Sequence, residues 1–181
     1  MSDLIISEPT LEPTLVELME MRLDNKPNIE EFCFGLVEQA RRMSDDPHTQ
    51  VGALIWKDGI RSITWNTFCG PVHEMINCNP EKFERPEKYH WFEHAERNGI
   101  YECGRNGISL KGAAIYQNGL PCTDCARAIG LSGIVEVVIN QDVLDKKEWK
   151  SPKYTKDVMD RSVDILNEYG VRIRFWSSNG H

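Results

Sequence analysis

AAIYQNGLPCTDCARAIGLSGIVEVVIN, residues 113–140, holds a complete strand–helix–strand passage. Ala113–Gln117 is a short apolar run of strand length, and Asn118-Gly119 is turn chemistry. From Pro121 to about Leu131 the apolar residues return at helical spacing, with Pro121 placed in the first turn and Gly133 as the stop. Glu136–Asn140 is a second strand rich in β-branched residues. A helix between two short apolar strands is the repeating unit of an α/β fold.

The same grammar extends in both directions. Upstream, Ile29, Phe32, Cys33, Leu36, Val37, Ala40 and Met43 recur at helical spacing behind an Asn28 cap, with Glu30 and Glu31 in the first turn. Ser44-Asp45-Asp46-Pro47-His48 stops that helix. Residues 51–56 and 60–65 read as a hairpin turned by Lys57-Asp58-Gly59, and 66–90 as a long irregular loop. His94 to about Glu102 is helical. Downstream, 141–154 is a polar connection, about Lys156 to Tyr169 a helix closed by Gly170, and 171–176 the last strand. The order predicts one domain over residues 29–181, an α-β-α sandwich on a mixed five-stranded sheet, preceded by an arm over 1–28. Proline-spaced Leu11, Leu15, Val16 and Met19 could line one face of a short helix in the arm.

Composition bounds the function. The chain has 181 residues, 40% of them hydrophobic and 27% charged, with a formal net charge of -7. That is ordinary globular composition and a poor match to nucleic-acid polymers. No apolar run has the roughly 18 residues of a membrane span, and no secretory signal is visible, so a cytoplasmic protein is expected. Six cysteines are too sparse for a disulfide scaffold, so reduced thiols or metal ligands are expected.

His94-Ala95-Glu96 and Pro121-Cys122-Thr123-Asp124-Cys125 carry the chemistry. His94, Cys122 and Cys125 supply the three borderline or soft ligands that a catalytic zinc ion takes while keeping a fourth position for water. Helix N-termini stabilise thiolates, which suits the Cys-x-x-Cys pair. Glu96, two residues past the histidine, is better placed as a proton shuttle beside the activated water than as a fourth ligand. His-x-Glu followed by Pro-Cys-x-x-Cys is the signature of zinc deaminases. Cys69, His73, Cys78 and His90 offer further ligand types, but their spacing fits loop thiols and surface histidines better than a second zinc site.

From about residue 30 to 176 the chain resembles the deoxycytidylate (dCMP) deaminase branch of the cytidine deaminase superfamily. The resemblance rests on the zinc motifs and on Asp46-Pro-His-Thr-Gln-Val-Gly-Ala53. It also rests on Lys88-Tyr89, His94-Ala-Glu-Arg-Asn-Gly-Ile100, Cys125-Ala-Arg-Ala-Ile129 and Ser132-Gly-Ile134. It implies hydrolysis of dCMP to dUMP and ammonia with zinc as cofactor, feeding thymidylate synthesis, and a homo-oligomer, commonly a hexamer. It implies that Asn66 meets the substrate sugar, and that the 44–50 loop roofs the pocket, with His48 as a phosphate or sugar contact. Lys88, Arg97 and the loop backbone are the other candidates for the phosphate. Trp65-Asn-Thr-Phe-Cys-Gly-Pro71 departs from the glycine-rich stretch that serves triphosphate regulation in such enzymes, so that regulation is not carried over. Ile139-Asn-Gln-Asp-Val143 lacks the family's aromatic, which leaves stacking on the base, or the phosphate grip, to Trp149, Tyr154 or another aromatic. The alternatives are a deaminase of dCTP or of 5-substituted dCMP, and a catalytically silent zinc protein that senses nucleotides.

Overall fold

The computed structural model describes residues 14–24, 26–145 and 155–178 of the chain. In chain order its elements are α1 (Leu15–Asp24), α2 (Ile29–Arg41), β1 (Gly52–Trp56), β2 (Ile60–Trp65), β3 (Thr67–Phe68), α3 (Val72–Cys78), β4 (Phe92–Glu93), α4 (Ala95–Arg105), β5 (Ala114–Gln117), α5 (Thr123–Ser132), β6 (Glu136–Asn140), α6 (Gln141–Asp145), α7 (Lys156–Glu168) and β7 (Arg172–Trp176). Residues 1–13 of the arm, with Trp149 and Tyr154, lie outside the described residues.

Local chemistry sets most of these boundaries. Asn28 accepts from the backbone N–H groups of Glu30 and Glu31, and the Glu31 carboxylate accepts in return from the Asn28 N–H at 3.1 Å. This reciprocal cap satisfies donors that the first turn of α2 cannot pair internally. The β1–β2 hairpin turns through Asp58 (φ 53°) and Gly59 (φ 130°), a left-handed path that favours these residue types. Gly133 closes α5 at φ 83°.

The five-stranded sheet runs β2-β1-β5-β6-β7. β1 is antiparallel to both β2 and β5, whereas β5, β6 and β7 are mutually parallel. A hairpin suffices for the antiparallel end, but parallel neighbours need long crossovers, supplied by the segments containing α5 and α7. Both faces are covered, as the unbroken Val137-Val138-Ile139 run in β6 requires. On one face Phe34 and Val37 of α2 pack on Leu54, Tyr116, Val138 and Trp176, with the Phe34 and Trp176 rings stacked at 4.6 Å. On the other, Ala95 and Cys103 of α4, Ala126 and Ile129 of α5 and Leu166 of α7 pack on Ile55, Ile115, Val137 and Ile139. The mixed sheet with helices on both faces is as expected from the sequence.

Gly52 lets α2 lie against β1. A Cβ there would sit 2.3 Å from the Val37 carbonyl oxygen and 2.9 Å from the Arg41 backbone nitrogen, atoms that cannot swing aside. Gly52→Ala is therefore expected to cost about 1–3 kcal/mol, as overpacking does in a fixed core. Urea denaturation measures it, and unchanged stability would show that α2 can shift outward freely.

The structure corrects the expectation of an irregular loop over 66–90. β3 pairs with β4, α3 follows, and short 3₁₀ turns span Pro80–Phe83 and Glu87–His90. Phe68, Phe83 and Phe92 form a small separate core, with the Phe68 and Phe83 rings stacked at 4.6 Å and Val72, Met75 and Trp91 against them. Prolines and cysteines punctuate this stretch, but its organising signal is three phenylalanines at no regular period. The connection expected over 141–154 also begins with a helical segment, α6. No helix among the described residues is long and apolar enough to cross a membrane.

Candidate metal centre and its cavity

Two helix starts converge on the α4/α5 face of the sheet. His94 is the N-cap of α4, with extended backbone (φ -78°, ψ 147°), and Cys122 is the N-cap of α5 (φ -71°, ψ 169°). Cys125 falls in the first turn of α5. Pro121 thus stands one residue outside the cap and not in the first turn, because Cys122 is still extended. There its carbonyl accepts from the Ser162 hydroxyl of α7 at 2.6 Å, tying α7 to the site. α4 is anchored to β2 by Thr64, whose hydroxyl donates to the Ala95 carbonyl at 2.8 Å, and by Asn98, whose amide donates to the Trp65 carbonyl at 3.1 Å.

His94 Nδ1 lies 3.5 Å from the sulfur of Cys122 and 3.5 Å from that of Cys125. All three ligand atoms fall within 4.8 Å of one another, and this is the one such cluster among the described residues. A tetrahedral zinc ion, with Zn–S near 2.3 Å and Zn–N near 2.0–2.1 Å, places its nitrogen and sulfur ligands about 3.6 Å apart. Donor types and spacing both fit zinc, and the three side chains are positioned to bind a metal. Cys69 and Cys78, by contrast, are exposed thiols, and the side chain of His73 lies outside the described residues.

The electrostatics favour anionic sulfur. A hydrogen bond from Cys125, opposed by burial and reinforced by His94, holds Cys122 down at about 3. Sharing that proton, together with burial, pushes Cys125 up. Burial alone would lower His94, but its hydrogen bond with Cys122 and the charge of Glu96 raise it. Glu96 is only 3% exposed, and burial pushes its carboxyl above the ordinary range.

A cavity of about 340 Å³ opens on this cluster, within the usual size range for a small-molecule pocket. Glu96 and the two ligand-bearing helix starts, through His94 and Cys122, form its floor. Asp46, Thr49 and Val51 line it from the loop before β1, Asn66 from the end of β2, Lys88 and Tyr89 from the turn before β4, and Val158 from α7. Asn66 is one of the lining residues, and its amide is fully engaged. It donates to the Thr49 carbonyl at 2.8 Å and to Asp46 at 3.3 Å. Its oxygen accepts from the Val51 N–H at 2.7 Å and the Ser44 hydroxyl at 2.8 Å. Asn66 thereby locks the 44–51 loop to the sheet.

The basic residues named from the sequence sit otherwise than expected. His48 is not among the residues lining the cavity, and its Nε2 lies 3.0 Å from a Glu84 carboxylate oxygen. The Lys88 ammonium is buried against both oxygens of Asp46, at 2.6 and 2.7 Å. Asp46 also accepts from the backbone N–H groups of His48 and Thr49, so one carboxylate shapes the loop and neutralises the lysine. Arg97 is clamped by Glu93, with its Nε at 2.7 Å, and its Nη1 approaches the Cys125 sulfur at 3.7 Å. Burial opposes the charge of Arg97, but Cys125 and Glu93 outweigh it and hold it protonated. Sequence reasoning passed over Glu93, which also accepts from the His94 N–H at 2.8 Å; the signal was a carboxylate immediately before the histidine.

Residues 27–141 match the family described as cytidine and deoxycytidylate deaminase zinc-binding region. A protein of Aliivibrio fischeri, named as an uncharacterized deaminase in the luxG 3′ region, is 30% identical over 148 residues, 77% of this chain and 88% of that protein. The deoxycytidylate deaminase of enterobacteria phage T2 is 51% identical over 74 residues, 41% of this chain; the match spans only 37% of the phage enzyme. Among solved structures, the dCMP deaminase of cyanophage S-TIM5 in complex with dCMP and dUMP superposes with a TM-score of 0.60. At 21% identity, over 83% of this chain and 98% of that one, it shares the fold.

Proposed function

We propose that this chain, which belongs to the zinc-binding cytidine and deoxycytidylate deaminase family, hydrolyses dCMP to dUMP and ammonia. The observation that carries the reading is the placement of Glu96. It is a buried carboxyl in the same cavity of about 340 Å³ that opens on the His94, Cys122 and Cys125 cluster.

Zinc held by these three side chains supplies the acidification of a water at neutral pH. Glu96 takes one proton from the attacking water and passes it to the cytosine ring nitrogen. It then takes the remaining proton from the added hydroxyl and delivers it to the amine as the C–N bond breaks and the carbonyl forms. A carboxyl raised by burial is suited to both halves of that transfer, since it accepts and returns a proton at comparable cost. Arg97 balances charge beside the thiolates and stays fixed through Glu93. Asn66 holds the loop around the sugar. A deoxyribose hydroxyl reaching its amide exchanges for its longest bond, the 3.3 Å one to Asp46. His48 has no part in this reading. A homo-oligomer, hexameric as the resemblance implies, belongs to it; Leu15, Met19, Met21 and Leu23 of α1 are all exposed, which supports a partner surface there.

Ammonia release from dCMP, CMP, dCTP, deoxycytidine and 5-substituted dCMP, measured with the zinc content of the same sample, tests the proposal. Release with dCMP preferred is the expected result. Preference for dCTP or for a 5-substituted substrate would replace dCMP as the substrate. Zinc binding with no release from any of them would favour a nucleotide sensor, against which the buried Glu96 stands.

A further inference from the structure

We infer that Arg85, a residue none of the sequence motifs contains, grips the phosphate of the nucleotide through the Thr49 corner of the cavity. This rests on the dCMP reading and names the group that reading leaves without a partner. A phosphate monoester dianion must enter a chain of net charge -7, into a cavity that already holds Glu96, Asp46 and Asp124. It needs an uncommitted cation. The two basic side chains in the cavity wall are committed: Lys88 lies against both oxygens of Asp46, and Arg97 is clamped by Glu93. Nearby, His48 faces Glu84, Arg127 pairs with Asp124, and Lys82 sits 3.7 Å over the Trp91 ring.

Arg85 differs from all of these. Among the described residues no carboxylate pairs with it, and its hydrogen bond is from Nη2 to the Thr49 hydroxyl, at 3.2 Å. Its Nε is buried and makes no hydrogen bond among the described residues. Most of its five N–H donors are therefore unspent, and a planar guanidinium fork matches phosphate oxygens two at a time. Thr49 lines the cavity beside Asn66, so the hydroxyl that orients Arg85 can itself donate to the same phosphate. The Thr49 backbone is fixed from both sides, its N–H by Asp46 and its carbonyl by Asn66. The corner is thus built before any ligand enters, and Arg85, which stands behind the lining residues, reaches it through the Thr49 hydroxyl.

Steady-state kinetics on dCMP and deoxycytidine, for wild type, Arg85→Ala and Arg85→Lys, tests the assignment. Arg85→Ala is expected to raise KM for dCMP about 10- to 100-fold, the effect of losing a charge-assisted hydrogen bond. kcat should move less than about threefold, because the lost contact is equal in ground and transition states. Deoxycytidine, which has no phosphate, should lose far less, and Arg85→Lys should recover part of the dCMP affinity. Unchanged KM for dCMP, or an equal loss on deoxycytidine, would overturn the proposal. A second arm measures calorimetric binding of dUMP and deoxyuridine to the zinc-loaded chain, and it holds even if wild type releases no ammonia from dCMP and the functional reading fails. A wild-type preference for dUMP that disappears in Arg85→Ala supports the assignment. A preference that persists, or that wild type never has, refutes it.

Discussion

Glu96→Gln should keep its zinc and lose its chemistry. The substitution preserves size and hydrogen-bonding shape in a cavity where the side chain is almost wholly buried, so His94, Cys122 and Cys125 have no reason to move. What disappears is a group that can take up and return a proton. General acid–base catalysis contributes about 10²–10⁴-fold, and in the proposed mechanism one carboxyl serves two transfers, so a loss of about 10³-fold or more in kcat is expected. Metal analysis should still find one zinc per chain, and thermal unfolding should stay near wild type. A variant with zinc bound and kcat within about tenfold of wild type would remove Glu96 from the mechanism. Loss of the zinc would instead make its role structural.

Lys88→Met should produce the largest loss of stability. Lys88 and Asp46 are each about 95% buried or more, with the ammonium against both carboxylate oxygens. Removing the lysine leaves an uncompensated charge inside the protein, a change that costs about 3–5 kcal/mol. For a chain of this length that lowers Tm by about 10 °C. Asp46→Asn placed on top of Lys88→Met should recover much of the loss. Asparagine removes the stranded charge yet keeps an oxygen for the His48 and Thr49 N–H groups. Denaturation of the single and double variants checks both statements. A single variant within about 1 kcal/mol of wild type would mean that water reaches Asp46 freely. The pair also shapes the cavity wall, so dCMP turnover should fall with stability in Lys88→Met and return with it in the double variant.

Much of the architecture was legible because it is local. Asn28 three residues before Glu31 announces a capped helix, and Val137-Val138-Ile139 announces a strand covered on both faces. The segment over 66–90 was not legible, because Phe68, Phe83 and Phe92 meet only after the chain turns back on itself and follow no period. The start of α5 was misplaced by two residues for a smaller reason. Proline marks the neighbourhood of a helix start, but whether it stands at the first helical position or just outside depends on the backbone of the next residue.

The metal-binding trio and Glu96 were readable from sequence because two short spacings, His-x-Glu and Cys-x-x-Cys, fix which atoms a helix start can aim together. Charge at the cavity wall was another matter. Asp46 and Lys88 are 42 residues apart, Thr49 and Arg85 are 36 apart, and nothing in the intervening chain says that either pair will meet. Lys88 and Arg97 were candidates for the phosphate in the sequence, and folding spends both on carboxylates; Arg85 belongs to none of the motifs and keeps most of its donors unspent. By itself the sequence determined the α/β class and the chemistry of the ligand set, through short-range covalent spacing and periodicity. Only the tertiary structure decided which cations are spent on carboxylates and which is left beside Thr49 without one, because pairing between charges depends on distances across the fold.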